Sequence, residues 1–409
     1  MSCKTLSKLA AFLVNAVLAL AIVVVPAARA QTFTVLHTFS GTDGIAPWGH
    51  LVLDGGRLTG ATADGGILGC TVDGIGCGTV FTMDATGNET VLYSFDANGD
   101  GENPFGGVVT DGKGHFYGTT LLSGTVGFGS VFEVDYRGDF RVLYSFTYGS
   151  DGGHPTSGLL RDPTGNLYGT TQDGANGFGT VFKIDPNGNE TTLYTFNRGT
   201  DGGVPRGGLI RDGLGNLYGT TLEGGNLSCG LQSFGCGVVF RLDTAGNLQV
   251  LHTFLGGKDG SAPGANLMAG ADGSLYGNTI NGGGGNCTSG PYDNGCGVIF
   301  KIARNGRYSI LYRFTGGADG AFPDTALVHD GSGNLFGVAP DGGPTCSFPL
   351  GCGTVFKLAP NGIFTVLHGF TDVPDGEAPR GLTISSTGVL YGTAAGGGSG
   401  DGVVYKVVQ

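Results

Sequence analysis

Seven aspartates stand in one recurring motif, DGxxP: Asp43, Asp100, Asp151, Asp201, Asp259, Asp319 and Asp375, each followed by Gly and then Pro. Carboxylates repeated at one place could ring a calcium ion or supply a general acid and base. In a Gly-Pro setting the same aspartate also does plain structural work: it caps backbone N–H groups, the glycine takes a positive angle, and the proline fixes the exit of the turn. We read the motif as a turn. One copy is richer in ligand atoms. In "DANGDGE", Asp96, Asn98 and Asp100 alternate before Gly101, like the first half of an oxygen-ligand calcium loop, but the acid expected at position twelve is Gly107. These three residues are the candidate metal ligands, calcium is the one cofactor considered, and no other cofactor is expected.

The residue after each proline varies more than its surroundings: Trp48, Phe105, Thr156, Arg206, Gly264, Asp324 and Arg380. The positions just beyond are mostly Gly, Ala or Ser, with His50 and Asn266 as polar exceptions. Invariant positions build a scaffold and variable ones carry ligand preference, so Trp48, His50, Arg206, Asn266, Asp324 and Arg380 are the candidate ligand-binding residues. No catalytic residue is assigned. The chain has no GxSxG elbow, no HExxH and no Walker sequence. Its "GFGSVF" contains GxG, but between short strands and not at the start of a helix.

Nine cysteines are present, with Cys3 in the leading segment and the other eight in four close neighbours. An even set in an exported protein implies disulfides, here Cys70–Cys77, Cys229–Cys236, Cys287–Cys296 and Cys346–Cys352. Zinc would need four ligands converging, whereas these pairs lie in separate repeats. The four repeats that carry them are the long ones, 56 to 60 residues against 50 and 51, and the extra length falls within one loop of each.

The elements that must position these residues are announced by three cycling phrases. "GNLYGTT" stands at residues 165 to 171 and 215 to 221. A phrase such as "TVFKID" follows each copy, and then one such as "VLYSF"; each phrase occurs seven times. All are short runs of Val, Leu, Thr, Tyr and Phe bounded by Gly, Asn and Asp, which is the pattern of strands. A further strand precedes each LYGTT phrase, as in "GGLIRD" at 207–212. Four antiparallel strands per unit of 50 to 60 residues predict an all-β fold, a seven-bladed β-propeller of four-stranded blades labelled a to d from the axis outward. Residues 31–409 form the single propeller domain, preceded by a signal peptide at 1–30. The chain starts on a d-type strand, "TVLHTF", and ends on a c-type strand, "VVYKVV", so the first strand is expected to complete the last blade. In "GNLYGTT" the Gly-Asn pair closes the a–b turn, and Tyr168 and Tyr218 are expected to wedge between blades.

Lys4 and Lys8, an apolar run from Leu9 to Val25 and Ala28-x-Ala30 form a secretory signal cleaved after Ala30. Cleavage removes Lys4, Lys8 and Arg29 and no acid, so the formal net charge moves from −12 to −15. Such a surface repels nucleic acid and anionic lipid. The protein is expected to be secreted, periplasmic or on the cell surface, without membrane contact after cleavage, and monomeric.

The cycle "DGxxP … GLIRDxxGNLYGTTxxGG … GTVFKIDPNGNETTLYTF" resembles the GloVer tandem repeat of exported bacterial proteins, over essentially all of residues 34–408. The resemblance implies export and a propeller-like repeat; it carries no catalytic residue. Unlike members with a surface anchor after the repeats, this sequence ends within its last strand. The function expected is a non-catalytic binding or scaffold role, with a glycan or a surface protein as partner; the alternative is a propeller hydrolase or lyase acting on a carbohydrate or small metabolite at the axial channel.

Overall fold

The computed structural model describes residues 31–409 except 69, 71–73, 175, 230–232, 288–293, 345–350 and 398–399. The signal peptide expected at 1–30 lies outside the described residues. Seven four-stranded antiparallel sheets form a seven-bladed β-propeller. Blade 1 is Val52–Asp54, Arg57–Thr62, Thr79–Met83 and Glu89–Ser94, and the next five follow the same order. The innermost strand is short, down to the two residues Ile210–Arg211 inside the expected "GGLIRD" strand. The last blade is Glu377–Ile384, Leu390–Gly396 and Val403–Val408, completed by Thr32–Thr38 from the other end of the chain. Thr32 pairs with Val408 and Thr38 with Val403, so the ring closes as the order of the phrases predicts.

The phrases owe their regularity to one packing unit repeated seven times. The phenylalanine of each c strand, with Tyr405 in blade 7, is wholly buried and meets edge to face the phenylalanine that ends the d strand of the preceding blade, as in Phe182 with Phe146 at 5.0 Å and Tyr405 with Phe370 at 5.2 Å. Edge-to-face rings at this distance add to area burial because the positive ring edge meets the negative face. The glycine of LYGTT makes room for that ring: a Cβ on Gly169 would stand 2.5 Å from Phe182 Cζ. Tyr168 packs against a buried cluster drawn from blade 3 and blade 4, including Val181 and Leu217, so it wedges between blades as expected. Its hydroxyl also donates to Asp162 in the a–b turn, at 3.2 Å. The positive angle of that turn is on Gly165, at φ 92°.

Adjacent blades are joined at an equally regular seam. The residue before each DGxxP proline has a left-handed backbone, φ 50° to 56° (Ala46, Asn103, His154, Val204, Ala262, Phe322, Ala378). Such an angle is uncommon outside glycine. What holds it is a hydrogen bond across the seam: Ala262 N–H donates to Cys236 O of the preceding blade at 3.0 Å, and the ring-closing copy, Ala46 N–H to Asp401 O, measures 2.9 Å. Gly237, next in the chain after Cys236, lies against Pro263, and a Cβ there would meet Pro263 Cδ at 2.7 Å.

Three of the expected disulfides are present: Cys70–Cys77, Cys229–Cys236 and Cys287–Cys296. The fourth, Cys346–Cys352, includes Cys346, which lies outside the described residues. The later cysteine of each pair is buried and supplies the carbonyl at the seam, as Cys77 O does to Asn103 N–H. The bridges therefore tie the inserted loops to the blade junctions.

Candidate functional site

The chain runs from each DGxxP proline towards the axis, where neighbouring blades touch through small residues. A Cβ on Gly49 would meet Gly107 Cα at 2.3 Å, and one on Gly381 would meet Gly49 O at 2.5 Å. With the backbones so close, no side chain fits at Gly49 or Gly381 themselves. The side chains just after the prolines instead surround a cavity of about 600 Å³. Trp48, His50, Arg206, Asn266, Asp324 and Arg380 all line it, so residues singled out from five separate repeats meet in one place.

One arc of the wall is a continuous stack. Arg380 donates from its terminal nitrogen to Asp324 Oδ2 at 2.7 Å, and its guanidinium carbon lies 3.8 Å from the Trp48 ring centre. Phe105 meets Trp48 edge-on at 5.5 Å. A guanidinium held over an indole by a carboxylate is a rigid polar group, because cation–π attraction and the ion pair fix its position together. The opposite arc is looser. Arg206 is exposed, and Asn266 accepts from Gly208 N–H with its side-chain oxygen. His50 makes no hydrogen bond to protein among the described residues. Burial holds its imidazole below the usual histidine range, so it is neutral at pH 7.

Four buried polar atoms in this wall have no hydrogen-bond partner: Thr156 Oγ1, Asp324 Oδ1, Thr325 Oγ1 and Arg380 Nε. A buried polar atom without a partner is costly, so a cluster of them around a cavity is a surface suited to a polar ligand or ordered water. Beside the ion pair, Asp341 has its carboxyl pushed up to about 6, by burial first, with Arg380 opposing and the Asp324 charge adding.

Several lining groups escaped the sequence reading. His154 and Asp173 line the cavity and face each other, Nδ1 to Oδ2, at 3.2 Å. Gln172 and Thr325 are also there. Gln172 and Asp173 follow an LYGTT phrase and His154 precedes a DGxxP proline, so their signal was a position where copies differ, as it was for the residues after proline.

The DGxxP aspartates are turn residues. Each carboxylate meets the Tyr or His at the end of its own d strand, as in Tyr144 OH to Asp151 Oδ2 at 3.0 Å, His252 Nε2 to Asp259 Oδ2 at 3.1 Å and His368 Nε2 to Asp375 Oδ2 at 2.8 Å. In the candidate calcium loop, Asp100 Oδ2 accepts from Tyr93 OH at 2.9 Å and from Asp96 N–H at 3.0 Å, while Asp96 Oδ1 accepts from Asn98 N–H at 2.9 Å. These oxygens cap their own turn, as in the other blades.

Among the described residues no helix is long and apolar enough to cross a membrane. The disulfides fit an oxidising compartment.

The Gloeobacter/Verrucomicrobia repeat matches residues 63–289 and 286–409. No curated relative matches the chain. Solved structures of similar fold include virginiamycin B lyase from Staphylococcus aureus, at 14% identity and TM-score 0.57, covering 93% of this chain and 99% of that one. A putative 6-phosphogluconolactonase from Bacteroides uniformis has 15% identity and TM-score 0.53, with 83% and 90% covered. PorZ, a surface component of the type-IX secretion system of Porphyromonas gingivalis, has 15% identity and TM-score 0.52, with 88% of this chain and 46% of PorZ covered. At these identities the likeness is one of fold.

Proposed function

The chain belongs to the Gloeobacter/Verrucomicrobia repeat family, and from that premise we propose that it is an exported, non-catalytic binding protein whose axial cavity holds a saccharide unit of a glycan. The observation that carries this reading is the convergence on one cavity of residues that differ between otherwise uniform blades, together with four buried polar atoms lacking partners. Sugar hydroxyls offer donors and acceptors in pairs, which suits Asp324 Oδ1, Arg380 Nε and the two threonine hydroxyls. Trp48 and Phe105 supply the apolar contact that the C–H faces of a sugar require. Arg206, exposed and without an acidic partner among the described residues, suits an acidic sugar such as a uronic acid.

A screen of neutral and acidic oligosaccharides against the purified protein, followed by calorimetry, tests this. Binding of at least one saccharide is expected, weakened roughly tenfold or more by Asp324→Asn, because one good charged hydrogen bond is worth about 1.5–3 kcal/mol. No saccharide bound, or binding unchanged in Asp324→Asn and Arg206→Ala together, would reject the reading. The specific observation favouring a hydrolase or lyase is the neutral, unpartnered His50 imidazole, which has the form a general base needs. Product release from a bound saccharide, abolished by His50→Ala with binding intact, would establish that alternative.

A further inference from the structure

A second cluster lies outside the cavity lining, where the ring closes. His37 stands on the strand that completes blade 7, Asp43 on the turn after it, and Glu89 opens strand d of blade 1. One ring nitrogen of His37 and one carboxylate oxygen each of Asp43 and Glu89 all lie within 4.8 Å of one another. His37 Nε2 and Asp43 Oδ2 are 3.0 Å apart. Glu89 Oε1 is fully enclosed and has no hydrogen-bond partner.

The other blades show what this place ordinarily holds. At the position of Glu89 four of them put a ring, Phe140, Tyr308, Phe364 or Phe33, each stacked at 3.6 to 3.9 Å on the Tyr or His of the preceding d strand, and blade 4 puts Leu248. Blade 3 also has an acid there, Glu190, but it faces a seam with Tyr144 in place of a histidine, and the Thr192 hydroxyl donates to it at 2.9 Å. Only the closing seam combines imidazole, two carboxylates and an unsatisfied buried oxygen among the described residues.

We propose that His37, Asp43 and Glu89 form a divalent transition-metal site of zinc type that fastens the ring-closing strand to blade 1. Tetrahedral zinc with ligands about 2.0–2.2 Å away sets its donors roughly 3.3–3.5 Å apart, a separation these atoms reach with side-chain adjustment. Imidazole among the ligands favours zinc over calcium or magnesium, which take oxygen. Three protein ligands leave a fourth position for water. His37 is neutral when it binds, and the metal replaces its hydrogen bond to Asp43.

The test uses the protein purified from an exporting host, stripped with a chelator and titrated with zinc chloride by calorimetry and thermal melting. We expect one zinc bound per chain and a melting temperature that rises with zinc and falls back with chelator. Glu89→Phe and His37→Tyr install residues that other blades carry at these places, so both variants should fold. Each should bind zinc at least tenfold more weakly and lose most of the zinc-dependent rise. Absence of a zinc-dependent rise in the parent protein overturns the site, as does a rise of equal size in both variants, which would place the metal elsewhere.

Discussion

Asp341 shows how one buried acid near the cavity ties stability to pH. Its carboxyl is pushed from the usual range up to about 6, chiefly by burial. Between about pH 4 and pH 6 the unfolded chain loses this proton while the folded protein keeps it, so the contribution is present at low pH and is lost as pH rises through 6. Asp341→Asn cannot ionise. Its stability should gain on that of the parent between pH 4 and 7, by on the order of 1 kcal/mol after allowing for partial solvent exposure, and melting curves across that range check it; a constant offset would refute the assignment. Residue-scale chemistry was legible where copies could be compared. Trp48, His50, Arg206, Asn266, Asp324 and Arg380 stood out by their variability and meet in the cavity. The pairing of Asp324 with Arg380, at the same position of consecutive repeats, was not legible, because it depends on which way each side chain turns along the cavity wall. His37, Asp43 and Glu89 were missed for a related reason: the aspartate looked like six others, and the one informative change was an acid where most copies place a ring.

The seam between blades is the element that most repays mutation. Tyr405 occupies the c-strand place that holds phenylalanine in the other blades, and its hydroxyl is buried without a partner. Tyr405→Phe removes a desolvated polar group and keeps the ring, so it should stabilise the protein by about 1 kcal/mol, read as a higher melting temperature. At the junction of blades 4 and 5, Gly237→Ala should do the reverse. At φ 83° its Cβ would come within 2.1 Å of Thr221 O and 2.7 Å of Pro263 Cδ, so the junction must open or the backbone shift, at a cost above about 2 kcal/mol. Ala262→Gly, which relieves a left-handed angle one residue before that proline, should cost nothing or gain up to about 1 kcal/mol. Strand type, order and turn chemistry could be read from the repeats because each phrase stated them seven times. The burial of the later cysteines at the seam could not, since spacing alone places them in a loop and the contact they make belongs to the next blade.

For the whole molecule, closure depends on hydrogen bonds between Thr32–Thr38 and Val403–Val408 and on the aromatic contacts beneath them, among them Phe33 on His368 at 3.6 Å. A chain ended before Gly402 lacks strand c of blade 7 and leaves Thr32–Thr38 unpaired, so it should melt well below the full protein; an unchanged melting temperature would contradict the closure. The antiparallel register has a mechanical corollary. Thr32 lies opposite Val408, so tension applied outward from those two residues loads the pair from one end and breaks its hydrogen bonds one after another, as in a zip. A pull across the middle of any blade must instead shear several bonds together. Under force the ring should therefore part first at its closing blade, at low load, with the other six sheets intact, and single-molecule extension from these two points should record a small early step before any larger one.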